Sequence, residues 1–387
     1  MTDYDPLAAA HSILPRIAAA TDNSELKRTV DDDAVKAMGQ AGLARLLTPK
    51  EYGGYELPPS AQIRTCIITA RACSAASWLH MVCGAHTFVV ARFPEQCRDE
   101  VFADSPDVLI PGTLAPQGTV TRTDGGWRLN GRWQFGSGVD HGPWLLLGAI
   151  GEKDTDGKPS SPRHVVVPTA DIQIDDTWFT LGMRGSGSKD LVAEDVFVPS
   201  HRTMPTVALF MGTFSGSAGP LYHLPVMGGL ASMLAGTVLG MAEAGLAQFV
   251  DATRIRRDIY AGGSKAAKTG IQMRVAEAGG ELASAHMLVE RNCDLLDAAV
   301  IANEPPLDLT ARVQIRWNAA YAVELCRRAT ERIFAAAGAH AIYDDHPLQR
   351  LHRDINTACH HAIVDFDGVA ELKGRVELGL DEGLGLV

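Results

Sequence analysis

About 90 residues of two-residue periodicity, set between two long helical stretches, constrain this chain more than any other feature. From about Val108 the apolar positions alternate, as in GTVTRT from Gly118. Asp124-Gly125-Gly126 is a turn, WRLNGRWQF from Trp127 contains Asn130-Gly131, and WLLLGAIG follows from Trp144, so the spacing predicts hairpins of an antiparallel sheet. Further strands are expected at RHVVVP from Arg163, IQIDDTW from Ile172 and VAEDVFVP from Val192. A sheet enclosed in sequence by helices predicts an α+β enzyme whose site lies between layers.

On the N-terminal side, Pro6 to about Asp104 reads as helical, with apolar residues three and four apart from Asp33 and again in the Ala-rich run Ser60 to Ala91. Gly53-Gly54, inside PKEYGGYELPP, marks a loop between them. After the sheet, Thr206 to Leu224 mixes Gly, Ser and Pro with Phe210, Met211 and Phe214. That pattern suits either a lid over an apolar substrate or a connector whose aromatics dock on the next helix. Helical pattern returns from Val226 to about Gly379, broken at Gly262-Gly263, Pro305-Pro306 and Asp344 to Pro347, which is enough for a four-helix bundle. The expected divisions are 1–107, 108–205, 206–225 and 226–387.

Composition narrows the function. The chain has 387 residues, 46% of them apolar, and a formal charge of -11, which leaves no basic face for nucleic acid. Seven scattered cysteines without a CxxC read as reduced thiols in cytoplasm. The N-terminus lacks the basic region of a signal peptide, and no apolar run reaches the ~18 residues of a membrane span. There is no GxxxxGK[ST], no GxGxxG between strand and helix, and no GxSxG elbow. His352, Cys359, His360 and His361 lack zinc-ligand spacing, so no metal is expected. The glycine-rich turn LGMRGSGSKD from Leu181 offers Ser186 and Ser188 to a phosphate or ribityl chain, or is a plain turn.

Four motifs in order then carry a resemblance: PKEYGG from Pro49, GRWQFGSG from Gly131, LGMRGSGSKDLVAEDVFVP from Leu181 and RLHRDINTACHH from Arg350. Over nearly its whole length the chain resembles the acyl-CoA dehydrogenase superfamily, and more closely the oxygenase components of two-component flavin monooxygenases. The resemblance implies an N-terminal helical domain, a central antiparallel β domain and a C-terminal four-helix bundle, assembled as a homotetramer. Flavin would lie between sheet and bundle. The family strand G-x-K-x-[WF]-I-[ST]-N brings a hydroxyl to flavin N5 six residues after its glycine, which from Gly131 is Ser137. A hydroxyl there can accept from N5–H of reduced flavin or donate to oxidised N5. By the same resemblance Trp178 packs on the isoalloxazine, Ser186 and Ser188 serve the phosphate side, and Arg254 or Arg256 reaches a flavin phosphate.

A dehydrogenase needs a carboxylate to take the α-proton. Many members place it about eight residues beyond an R-x-x-R-D run. Here Arg350, Arg353 and Asp354 form that run, and eight beyond is Ala362, beside His360 and His361. Seven residues from Asp354, His361 is expected two turns on and on the same helical face. Other members carry the carboxylate on an earlier helix, where Glu243 is the candidate, so an acyl-CoA dehydrogenase using FAD stays open. Histidine suits the oxygenase alternative: a group titrating near neutrality can protonate a C4a-hydroperoxide as it forms and deprotonate a phenol. In that reading His361 acts beside the flavin, His360 lines the neighbouring wall, and His86, rather than His80, faces substrate. Phe210, Met211 and Phe214 would close over it. The expected activity is aromatic hydroxylation with O2 and reduced FMN or FADH2 from a separate NAD(P)H:flavin reductase. Sulfur or amine oxygenation, or a non-catalytic flavin scaffold, remain alternatives.

Overall fold

The computed structural model describes residues 4–153, 159–214, 219–258, 262–302 and 307–380. Six helices come first: α1 (Pro6–Ala19), α2 (Thr21–Lys27), α3 (Asp32–Gln40), α4 (Pro59–Ala70), α5 (Ser74–Val90) and α6 (Glu95–Phe102). Local chemistry sets their starts. Asp5 accepts from the Leu7 and Ala8 amides ahead of Pro6, and Asp31 accepts from Asp33. The Ala-rich run divides into α4 and α5, the second buried along its whole length.

Seven strands follow: β1 (Gly112–Thr123), β2 (Gly126–Gly136), β3 (Trp144–Lys153), β4 (Pro159–Pro168), β5 (Gln173–Asp175), β6 (Lys189–Pro199) and β7 (Thr203–Pro205). They form one sheet in the order β5-β6-β2-β1-β3-β4-β7. The expectation of an antiparallel sheet is corrected here, because β1 and β3 pair in parallel and the sheet is mixed. Asp124-Gly125 does turn the β1–β2 hairpin, but Asn130-Gly131 lies inside β2 at a register shift. Gly131 sits at φ 147°, and a side chain there would run into Gly118 beneath the buried Trp133. Alternation splits β3: Leu145 and Leu147 join a core confined to the sheet, while Leu146 joins the helical core.

After α7 (Thr206–Met211), the long helices α8 (Val226–Ile255), α9 (Thr269–Ala302) and α10 (Leu309–Ala337) form the bundle, with α11 (Pro347–Ala358) and α12 (Phe366–Glu377) against it. The expected break at Pro305-Pro306 lies outside the described residues. Against the expectation that no stretch is membrane-like, α8 is long and apolar enough to cross a bilayer, yet most of its apolar window is buried inside the protein. That burial is what a bundle's central helix requires. Gly236 and Gly240 let α4 cross α8 closely, since a Cβ on Gly240 would collide with the Ile67 carbonyl.

Candidate functional site

Two strained loops meet under α5. At the end of β2 the chain turns through Phe135 (φ 65°) and Gly138 (φ 75°), a left-handed conformation unfavourable for a bulky residue. The second loop passes through Met183 (φ 52°), Arg184–Ser186 and Gly187 (φ 56°) into β6. The Gly138 amide donates to the Ser186 carbonyl at 3.1 Å, which joins the loops. Ser137 Oγ lies 2.7 Å from Ser188 Oγ, and Ser188 Oγ 2.8 Å from Ser186 Oγ. From α5, Trp78 Nε1–H donates to Ser137 Oγ at 3.1 Å. Ser186 and Ser188 are thus brought to Ser137 as a buried row of hydroxyls.

The run from Arg350 proves to be a fastener. Asp354, fully buried on α11, accepts from the Met183 amide at 2.6 Å, and burial pushes its carboxyl up to about 6. Arg353 reaches the Leu181 carbonyl at 2.7 Å and Glu25 at 2.8 Å, and Arg350 pairs with Asp22. Gly182 must be glycine because the Arg353 carbonyl occupies the space of a side chain. These contacts bind the bundle to α2 and to the loop carrying Ser186 and Ser188.

His361 does come beside this cluster, its ring edge-on to Trp78 with centroids 5.9 Å apart. The expected helical register is wrong, however. Helix α11 stops at Ala358, and His361 caps a 3-10 turn, Ala362–Val364, by accepting the Ile363 amide at Nδ1 over 3.2 Å. Nδ1 is therefore an acceptor, and neutral His361 carries its hydrogen on Nε2. The residue is exposed, and the protein beside its ring pushes the imidazole down from its ordinary value. His360 is exposed and meets none of the cluster.

The other histidine lies further along α5. His86 donates from Nδ1 to the Ile110 carbonyl at 2.8 Å, leaving Nε2 as its acceptor, and burial pushes it down to about 4. It neighbours His164, whose ring faces Phe210 at 5.0 Å. His80 is held by Thr65 at 2.9 Å and by Gln62, a structural arrangement. Eight residues place His86 about 12 Å along the helix from Trp78. Among the described residues, no hydrogen bond or ring contact joins the His86 cluster to that of His361.

Of the segment after β7, Phe210 is buried, Met211 Sδ meets Arg312 at 3.1 Å, and Phe214 stacks on His223 at 4.9 Å. Residues 215–218 lie outside the described residues. Buried Arg92 joins both ends, donating to the Leu209 carbonyl and, at 2.6 Å, to that of Leu224. Arg256 caps the Ala337 carbonyl and Arg254 pairs with Asp251, so neither reaches the serines of its own chain. Glu243 is tied to Arg71 at 2.7 Å and His286 at 3.0 Å in a groove of the bundle, away from Ser137. A cavity of about 330 Å³ lies across α5, lined by Leu79, His80, Cys83, His141 and Trp144, and includes none of the cluster.

Sequence reasoning passed over Phe135 and Trp78 as site residues. Phe135 is 60% exposed, and its ring stands edge-on to half-buried Trp178 at 6.1 Å. Trp178 is anchored through Nε1–H to the Met183 carbonyl at 3.0 Å. Nothing in the sequence announces the positive φ of Phe135. For Trp78 the signal was present, since an indole in so apolar a helix needs a partner for its N–H. Open aromatic faces beside a hydroxyl suit a flat conjugated ring with a hydrogen-bonding nitrogen on its edge, which is what a flavin presents.

Known proteins resemble the chain over most of its length. Residues 8–97 match the acyl-CoA dehydrogenase N-terminal domain family and residues 232–366 the acyl-CoA dehydrogenase C-terminal domain family. Over 382 residues the chain is 32% identical to the oxygenase component of p-hydroxyphenylacetate 3-hydroxylase from Acinetobacter baumannii, covering 97% of this chain and 89% of that one. It is 31% identical to the flavin-dependent monooxygenase oxygenase subunit HsaA from Rhodococcus jostii, covering 95% and 97%. The structure of XiaF from a Streptomyces species, in complex with FADH2 and glycerol, superposes with a TM-score of 0.92 at 30% identity, over 99% and 97% of the two chains. The chain belongs to the acyl-CoA dehydrogenase superfamily. Within it, this is a flavin-dependent monooxygenase of the oxygenase-component kind.

Proposed function

We propose that the protein hydroxylates a phenolic, indolic or polycyclic aromatic ring with O2 and reduced FMN or FADH2, delivered by a separate NAD(P)H:flavin reductase. The observation that carries this is His361 beside Trp78 and Ser137, where a dehydrogenase needs a free carboxylate. The carboxylate left open to the dehydrogenase reading, Glu243, is committed elsewhere, to Arg71 and His286. Bound reduced flavin supplies the electrons that activate O2. Phe135 and Trp178 would flank its ring, and Ser137 would meet its edge. His361 offers Nε2–H to an oxygen atom at that edge, and His86 offers Nε2 as acceptor to a substrate O–H or N–H. Phe210 closes the far wall, and Met211 and Phe214 hold the segment over it, keeping water out. A cytoplasmic homotetramer, in which Arg254 and Arg256 reach the flavin phosphate of a neighbouring subunit, completes the proposal.

The test supplies reduced flavin, O2 and a panel of phenols and indole, and separates hydroxylated product from hydrogen peroxide. A hydroxylated product is expected, lowered at least tenfold in His361→Ala and His86→Ala. Peroxide alone with every aromatic, together with anaerobic bleaching of bound flavin by an acyl-CoA, would return the chain to the dehydrogenases.

A further inference from the structure

Helix α5 serves two recesses. Trp78 turns toward Ser137 and His361, whereas Cys83, five residues on and so about 140° round the helix, lines the cavity of about 330 Å³. Neither Trp78, His86 nor His361 borders that cavity, so it is separate from the site assigned to flavin and substrate. Gly39 on α3, Leu79 on α5, Asp104 after α6, and His141 and Trp144 after Ser137 complete its walls.

Those walls specify an occupant. They are mostly apolar, with the Trp144 indole among them. An apolar cavity of about 150 Å³ takes one benzene ring, so this one has room for a fused pair. No lysine or arginine is among the described residues lining it, and Asp107 is taken by Arg45, through Nε at 2.6 Å. Burial pushes His80 down to about 4 and also lowers His141, so both are uncharged at pH 7.5. Asp104 is exposed, and among the described residues it forms neither a hydrogen bond nor an ion pair. A free carboxylate beside apolar walls accepts from an O–H or N–H and repels an anion.

We propose that this cavity is a second binding site, for an uncharged aromatic molecule of one or two rings that carries an O–H or N–H donor. The rings pack on Leu79 and Trp144, and the donor reaches Asp104. The site shares its frame with the turn that carries Ser137: the Leu79 side chain occupies the space a side chain on Gly138 would need, and His141 N–H donates to the Gly138 carbonyl at 3.0 Å. Binding there needs no flavin and does not rest on the function proposed above.

Calorimetric titration of the full chain without flavin at pH 7.5, with indole as the neutral probe and indole carboxylate as its anionic counterpart, tests this. Saturable indole binding is expected, with the carboxylate about tenfold weaker. Gly39→Leu sends a side chain into the cavity from a position where a Cβ meets no neighbouring element within 4 Å. It gains helix propensity, should fold, and is expected to weaken indole about tenfold or more. Asp104→Asn, an exposed change, should bring the carboxylate to within about threefold of indole. The proposal falls if no saturable binding is seen, if Gly39→Leu binds indole as tightly as the unmodified protein, or if the gap between the two probes survives in Asp104→Asn. If indole binding follows His86→Ala and not Gly39→Leu, the probe occupies the substrate side of α5, and the proposal falls with the hydroxylation reading intact.

Discussion

Replacing Asp354 by Asn isolates one buried charge at the joint between bundle and sheet. Its carboxyl is pushed from 3.8 up to about 6, chiefly by burial and with Glu25 adding, while the Met183 amide, Ser74 and Arg353 oppose the rise. The folded state therefore prefers the protonated form. Stability gained from that proton is fully present below 3.8 and is lost as pH rises through 6. A shift from 3.8 to about 6 corresponds to ~3 kcal/mol in all, of which ~1.4 kcal/mol falls between pH 5 and 7.5. Asparagine keeps an acceptor for the Met183 amide and does not titrate. The stability of Asp354→Asn minus that of the unmodified protein should rise by ~1.4 kcal/mol from pH 5 to 7.5. Urea unfolding of both proteins at the two pH values measures this, and every other titrating group cancels in the difference. A difference constant within ~0.5 kcal/mol, or one that shrinks, would show that Asp354 is already ionised in the fold.

Two further substitutions test the frame around the site. Gly240→Ala gains helix propensity of up to ~1 kcal/mol but drives a methyl into the Ile67 carbonyl, so a net loss of ~1–3 kcal/mol is expected in thermal melts. Gly280→Ala, on a helical surface with open space at Cβ, should stabilise by ~0.5–1 kcal/mol; equal signs for the two would discredit the close-approach argument. Arg92→Met leaves the Leu209 and Leu224 carbonyls unmet, and hydrogen exchange should quicken at 206–214 and 219–225 with a loss of ~2–4 kcal/mol. Unchanged protection there would mean Arg92 does not hold the segment.

The order of helices, sheet and bundle was legible because it rests on local periodicity: two residues per repeat in a strand, nearly four in a helix. The glycine-rich turns were legible for the same reason, since positive φ is a property of single residues. Ser137, Trp178, Ser186, Ser188 and His361 could be singled out by motif spacing, yet spacing along a chain is blind to partners across it. Only the tertiary structure put Ser186 and Ser188 behind Ser137, brought Trp78 over it, and made the run from Arg350 a fastener. The sheet's parallel pair escaped the sequence because side-chain alternation is the same in parallel and antiparallel strands. His361 escaped its assigned helix because α11 ends after Ala358 with no glycine or proline to mark the stop. Which nitrogen of His361 or His86 holds the hydrogen is decided by one amide and one carbonyl, at Ile363 and Ile110, that chain folding delivers.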